Sequence, residues 1–145
     1  IGACDWSSDV CSSDLVVSAC RRLAGPCGAD VILLHVLPRD PDQPDDDLGS
    51  EISNTQLAAE RPAIRAALNA HAEALGGDGI SVRVLVARGS TVELVLRQVG
   101  ETDADVLVIG SHGHGSLYDI VVGSTSLGIL RAAAVPVLVV PARVD

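Results

Sequence analysis

The chain has no phenylalanine, no methionine and no lysine, and its aromatic side chains are limited to Trp6 and Tyr118. Valine, leucine, isoleucine and alanine must therefore fill any core. They occur in β-branched runs that alternate with stretches rich in alanine and leucine, a pattern typical of α/β layering. The length of 145 residues predicts one domain with a core of its own.

Basic residues are also scarce, since ten arginines stand against 19 acidic residues and the net charge is −9. This balance argues against nucleic acid and anionic membranes as partners. No apolar run reaches the length of a membrane span, and no basic segment followed by an apolar one indicates export. The four cysteines lie in the first 27 residues without metal-type spacing. We expect a reduced, cytoplasmic protein without a structural metal.

Strand and helix patterns alternate along the chain. Apolar spacing predicts a helix over residues 16–24, and continuous apolar residues predict a buried strand at Val31–Leu37. A loop rich in proline and aspartate follows at residues 38–50, and a helix begins by Pro62. Residues 80–87 alternate as a strand does before the next helix. The alternation predicts a doubly wound parallel sheet with ligands at the carboxyl ends of the strands.

Two glycine-rich turns lie near the end of the chain, each close to a predicted helix. Residues 106–109 form a short apolar run that indicates a buried strand, and Gly110 follows it directly. The second turn begins at Gly123, 13 residues after Gly110, and continues with Ser124 and Thr125. Glycines allow close approach of the backbone, and helix N-termini with bare N–H groups hold anions such as phosphate.

The spacing Gly110-x2-Gly113-x9-Gly123-Ser124 resembles the nucleotide-binding signature of the universal stress protein family. The segment after it, residues 127–141, is similar to the last helix and strand of that family, and the resemblance covers residues 16–141. It implies a Rossmann-like α/β fold, ATP as the ligand, with or without Mg²⁺, and a homodimer. In the family the last strand, here from Val135 to Val140, pairs across a two-fold axis.

The resemblance also implies a set of nucleotide-binding residues. Val36, at the end of an early strand, matches the adenine pocket, and His112 and His114 can approach the ribose or the phosphates. These two histidines lack the further ligands that zinc requires. The alternative is that the glycine turns are ordinary turns with a helix cap. The complete predicted set is Val36, Ile109, Gly110, His112, Gly113, His114, Gly123, Ser124 and Thr125.

Two functional hypotheses remain open. In the first, the chain is an ATP-binding regulatory module that responds to stress and hydrolyses ATP slowly or not at all, because it has no Walker lysine and no positioned general base. In the second, it is an interaction protein of the same fold that dimerises without nucleotide. A dinucleotide oxidoreductase would need a third glycine after the first strand, and a serine hydrolase would need a nucleophile elbow around Ser116. The sequence has neither.

The first residues have a different character. Residues 5–15, D-W-S-S-D-V-C-S-S-D-L, resemble one reading frame of a sequencing-library adapter. We interpret residues 1–15 as a non-native segment and residues 16–145 as a single nucleotide-binding domain; the alternative is a natural polar tail. In the resembled family the first strand is central in the sheet and ends in an aspartate that contacts the nucleotide. No such pattern precedes Val16, so we expect a truncated copy that lacks this strand.

Sequencing of the source locus across the Val16 codon tests this interpretation. We expect upstream codons for an apolar strand that ends near an aspartate, since the resemblance implies that the chain opens with such a strand. If codons for Trp6, Ser7 and Ser8 prove to be genomic, the adapter interpretation fails.

Overall fold

The computed structural model describes residues 2–3, 10–37, 50–111 and 124–141; for residues 2–3, 10–13, 50 and 111 only the backbone is described. Helices and strands alternate over most of this chain. In order, the elements are β1 (Gly2–Ala3), α1 (Val10–Cys27), β2 (Val31–Leu37), β3 (Ser50–Glu51), α2 (Asn54–Glu60), α3 (Pro62–Gly76), β4 (Val82–Arg88), α4 (Thr91–Glu101), β5 (Leu107–Ser111), α5 (Ser124–Ala132) and β6 (Val137–Pro141).

The strands form one six-stranded sheet in the order β3-β4-β2-β1-β5-β6. All described pairings are parallel except that of β3, which lies antiparallel to β4 at one end of the sheet. The longest ladder joins β2 to β4 from the pair Val31–Val82 to the pair Leu37–Arg88. The predicted doubly wound α/β fold with a parallel sheet is therefore confirmed.

Helices cover both faces of the sheet, and the side chains of the central strands alternate between them. Along β2, Leu33 packs toward α1 and α3, whereas Leu34 and Val36 pack toward α4 and α5. This explains why all seven residues of β2 are buried: a strand covered on both faces needs continuous apolar residues rather than alternating ones. His35 lies within this strand and is 2% exposed.

The predicted absence of a central first strand needs correction. Gly2–Ala3 occupies that position and pairs in parallel with β2, at Leu33 and Leu34, and with β5, at Val108. Backbone hydrogen bonds alone define a strand of this length, and glycine and alanine carry no apolar pattern that could reveal it. The first helix also begins earlier than predicted, at Val10, within the segment that resembles adapter sequence.

Other boundaries differ in ways that local chemistry explains. Helix α1 runs through Pro26 to Cys27, because a proline in the last turn removes only one terminal hydrogen bond. Helix α3 begins with Pro62 at its first turn, as predicted. The sequence pattern missed α2 and the two-residue β3, and residues 38–49 of the predicted loop lie outside the described residues.

No helix in the described ranges is both long enough and apolar enough to cross a membrane.

Candidate functional site

The described members of the predicted site come together at one edge of the sheet, where the parallel strands end. Val36 is the sixth residue of β2, and Ile109 lies in β5. Both side chains are almost fully buried, at 7% and 3% exposure, in the core cluster under α4 and α5. They form the apolar floor of this edge, and in this structure most of their surface contacts other core residues.

Gly110 comes next in β5 and turns toward the opposite face, where α1 lies. A Cβ atom at this position would meet Cγ2 of Val16 at 3.2 Å, which is tighter than ordinary van der Waals contact. From the sequence, this glycine was predicted to let a phosphate approach the backbone closely. The structure adds a second physical reason, because α1 can pack this closely on β5 only where the strand has no side chain.

The first turn of α5 is bound to the same point of β5. The hydroxyl of Ser126 donates a hydrogen bond to the carbonyl oxygen of Gly110 at 3.3 Å, and Ser126 is 7% exposed. Ser124 and Thr125 are the first two residues of α5. Ser124 is exposed and Thr125 is half-buried. The bond therefore holds the N-terminus of α5, with its N–H groups and the positive end of its dipole, beside the end of β5.

Four predicted site residues lie outside the described residues: His112, Gly113, His114 and Gly123. Their assignment to the site stays a prediction. The described residues on either side of this segment, Ser111 and Ser124, belong to β5 and α5, so the segment connects the two elements that the Ser126 hydrogen bond joins.

One ion pair lies at the same edge of the sheet. Arg88, the last residue of β4, donates a hydrogen bond to Oε2 of Glu60 in α2 at 2.7 Å. This bond, together with a second one from Gln56, lowers the pKa of Glu60 below its ordinary value. Glu60 therefore stays ionised at neutral pH and neutralises the positive charge of Arg88. In this arrangement the guanidinium group of Arg88 is hydrogen-bonded to the carboxylate of Glu60 and is not directed at an anionic ligand.

Sequence reasoning gave no role to Ser126 or to the pair of Arg88 and Glu60. Ser126 bonds to a carbonyl oxygen 16 residues away, so the local bonds that serine makes near a helix start do not indicate this contact. The partner of Arg88 is 28 residues away, and no local pattern indicates it. Within the described residues, no group of three or more histidine, cysteine, aspartate or glutamate side chains could hold a metal ion.

Comparison with known proteins gives one family and one fold. The model of the Universal stress protein family matches residues 8–141. Universal stress protein Slr1230 of Synechocystis sp. is 33% identical over 60 residues, which are 41% of this chain and 21% of that protein. The match to this curated relative thus spans about a fifth of its length.

Solved structures of similar fold match nearly the whole chain. Universal stress protein UspA from Lactobacillus plantarum has a TM-score of 0.72 at 15% identity, with 96% of each chain covered. A universal stress protein in complex with cAMP has a TM-score of 0.67 at 18% identity, covering 98% of this chain and 96% of that one. The universal stress protein from Archaeoglobus fulgidus in complex with dAMP has a TM-score of 0.66 at 16% identity, covering 95% and 94%.

A double-mutant cycle tests whether packing against Val16 requires a glycine at position 110. Gly110→Ala should lower the free energy of unfolding more in the native background than in the Val16→Ala background, where Cγ2 is gone. We expect a coupling of about 0.5–1 kcal/mol, typical of residues in contact, measured by urea unfolding. Gly100→Ala is the control, because nothing lies within 4 Å of its Cβ position; it should stabilise α4 by about 0.5–1 kcal/mol. Equal costs of Gly110→Ala in both backgrounds would contradict the packing role.

Proposed function

The chain belongs to the universal stress protein family, and we propose that it is a regulatory module that binds ATP and changes its associations when the nucleotide is bound. Two similar folds are those of universal stress proteins in complex with cAMP and dAMP. Both ligands carry an adenine base and a phosphate. Family membership together with these two proteins supports an adenine nucleotide as the ligand of this chain.

The observation that carries the proposal is the hydrogen bond between Ser126 and Gly110. It joins the end of β5 to the first turn of α5, and the segment of chain between these two elements contains the glycines that are predicted to bind phosphate. Parallel sheets of this type bind ligands at the carboxyl ends of their strands, where such loops meet. A phosphate at this point would receive N–H groups from the turns and a favourable field from α5.

The parts of the nucleotide follow from this placement. We assign the phosphates to the backbone of Gly110, Gly113 and Gly123 and to the hydroxyls of Ser124 and Thr125. The base lies toward Val36, on the neighbouring half of the sheet. His112 and His114 lie near the ribose or the phosphates, and Mg²⁺ enters with the nucleotide.

Efficient turnover of ATP is not part of the proposal. The chain contains no lysine, so no lysine can neutralise charge on a transferring phosphoryl group, and the described residues offer no positioned base for an attacking water. Bound ATP therefore acts mainly as a ligand that stabilises the protein conformation to which it binds. Any hydrolysis is slow.

Calorimetric titration with ATP, AMP and cAMP tests the site. Thr125→Val removes one hydroxyl donor to a charged phosphate, and such bonds contribute about 1.5–3 kcal/mol. We expect affinity for ATP to fall by about tenfold or more, and Gly113→Val to abolish binding because a side chain blocks the approach of the backbone. Thr55→Val, at an exposed position of α2, is the matched control and should bind as the native chain does. Unchanged affinity in both Thr125→Val and Gly113→Val would refute the site.

A second candidate function is dimerisation without nucleotide, and the position of β6 favours it. This strand ends the sheet, and within the described residues it pairs only with β5. Leu138 on β6 is 39% exposed, and Leu127 and Leu130 on α5 are 39% and 37% exposed. An apolar edge strand with open hydrogen-bonding groups is a ready site for pairing with another strand. Pairing with β6 of a second copy would cover this edge. Strand β6 contains most of the apolar run from Val135 to Val140.

Sedimentation analysis over a range of protein concentrations, with and without ATP, tests this second function. We expect a dimer at high concentration and a shift toward monomer in Leu138→Lys, because a charge at an edge strand opposes strand pairing. Leu23→Lys adds the same charge at a leucine of α1 that is 46% exposed and should leave the dimer intact. A dimer that forms equally well in Leu138→Lys would exclude this edge. Dimerisation without any binding of ATP would favour the second function over the first.

A further inference from the structure

Helix α5 takes part both in the proposed nucleotide site and in the core beneath the edge strand β6. It has nine residues, Ser124–Ala132, and is therefore about 14 Å long. Its first turn contains Ser124 and Thr125, which the proposed function assigns to the phosphates. Its buried side carries Ile129, which is 2% exposed and belongs to the core cluster against which two valines of β6 pack. One short element thus lies between the two regions.

Two contacts fix the position of α5 on its neighbours. The hydroxyl of Ser126 donates its hydrogen bond to Gly110, and Gly110 lies opposite Val140 of β6 in the parallel ladder. Two residues further along α5, a Cβ atom at Gly128 would meet Cγ2 of Val92 in α4 at 3.2 Å. This close packing leaves no room for α5 to move toward α4, and the Ser126 hydrogen bond opposes its movement along β5.

Tertiary contacts, rather than the helix itself, determine how firmly α5 is held. A helix of this length is not stable alone, because the cost of nucleation exceeds the stabilisation from so few hydrogen bonds. A phosphate bound at the first turn would add a contact at the end that Ser126 already fastens. Since a helix moves as a unit, that contact also restrains Leu127 and Leu130 on its outer side and the core residues under β6. Within the described residues β6 pairs only with β5, and such an edge strand opens locally more easily than a central one.

We propose that α5 couples the nucleotide site to β6, and that Ser126 is the positioning residue through which the coupling acts. Bound ATP restrains α5 and thereby stabilises both the pairing of β6 with β5 and the outer face of α5. A second copy that pairs with β6 then has less of the chain left to order, so ATP binding and self-association favour each other. This coupling rests on the proposed function, and it names the residues by which bound nucleotide changes the associations of the chain.

Hydrogen exchange of backbone amides, followed by mass spectrometry at low protein concentration with and without saturating ATP, tests the coupling. At short exchange times, which report local opening, we expect ATP to slow exchange in α5 and β6 by about fivefold or more, as is typical of coupled sites. Helix α3 is the control element, because it packs on β2 and β4, and its exchange should change little. Exchange that slows as much in α3 as in β6 would indicate general stabilisation by a ligand and would overturn the proposal.

Variants of Ser126 test its positioning role. Ser126→Ala removes the donor, so at saturating ATP we expect the first turn of α5 to remain protected while the effect of ATP on β6 is lost. Ser126→Thr keeps a hydroxyl and should keep the effect on β6. The matched control is Thr102→Val, which removes a hydroxyl that donates to the carbonyl oxygen of Gln98 at 2.6 Å at the end of α4. It loses a comparable hydrogen bond outside the site and should respond to ATP as the native chain does.

ATP binding and its coupling to β6 can fail separately. If calorimetry finds no binding of ATP by the native chain, the proposed nucleotide site and the coupling both fail. If ATP binds but exchange in β6 does not change, the coupling is refuted and the site stands. Retention of the full effect on β6 in Ser126→Ala would refute the role of this serine.

Sedimentation gives a second measure of the coupling. By reciprocity, ATP should lower the dissociation constant of the dimer by the same factor as dimerisation raises the affinity for ATP. Equal dissociation constants with and without ATP, or a chain that stays monomeric in both conditions, would overturn the proposal.

Discussion

The fold depends on the junction between β2 and β5. The sheet consists of two parts, β3-β4-β2 and β5-β6, and in the described structure β1 is the strand that connects them. A strand of two residues contributes few backbone hydrogen bonds, so side chains on both faces must hold the parts together. On one face Val16 and its neighbours in α1 pack with residues of β2 and with Val108 of β5. On the other face α4 and α5 pack with Leu34, Val36, Leu107 and Ile109.

The same junction gives the two edges of the sheet different chemistry. At the carboxyl edge, the short approach of Val16 to Gly110 and the bond from Ser126 to the same glycine bring α1, β5 and α5 to one point. That convergence holds the N-terminus of α5 beside the end of β5. At the amino edge, a cavity between β2 and β5 is lined by apolar residues and by the charged residues Asp30, Asp103, Asp105 and Arg83.

Charge distribution limits how the proposed nucleotide site could work. The net charge of −9 opposes binding of an anionic nucleotide at long range, so the proposed site would rely on groups that act at close range, namely backbone N–H groups and a helix dipole. Arg88 lies at the carboxyl edge, but its hydrogen bond to Glu60 lowers the pKa of that carboxyl group and keeps the pair charged and internally neutralised. Its effect at this edge is to fasten α2 to the end of β4.

Local patterns in the sequence by themselves determined much of this protein. The continuous apolar run of β2 predicted a strand buried on both faces, Pro62 marked the start of α3, and the alternation of elements gave the parallel α/β sheet. These features depend on neighbours within one or two helical turns, which a sequence pattern records directly. The spacing of Gly110, Gly113 and Gly123 predicted a phosphate site through its resemblance to the family signature, and that assignment stays a prediction.

Only the tertiary structure decided which distant residues meet. Gly2–Ala3 is a strand because β2 and β5 supply pairing partners on both sides. Glycine and alanine have no β-branched or large apolar side chain from which a strand could be predicted. Gly110 must accommodate Val16, which is 94 positions earlier in the chain. The cavity at the amino edge of the sheet lies between Ile32 and Val106 for the same reason. Contacts of this kind depend on the register and packing of whole elements, and short-range periodicity carries no information about them.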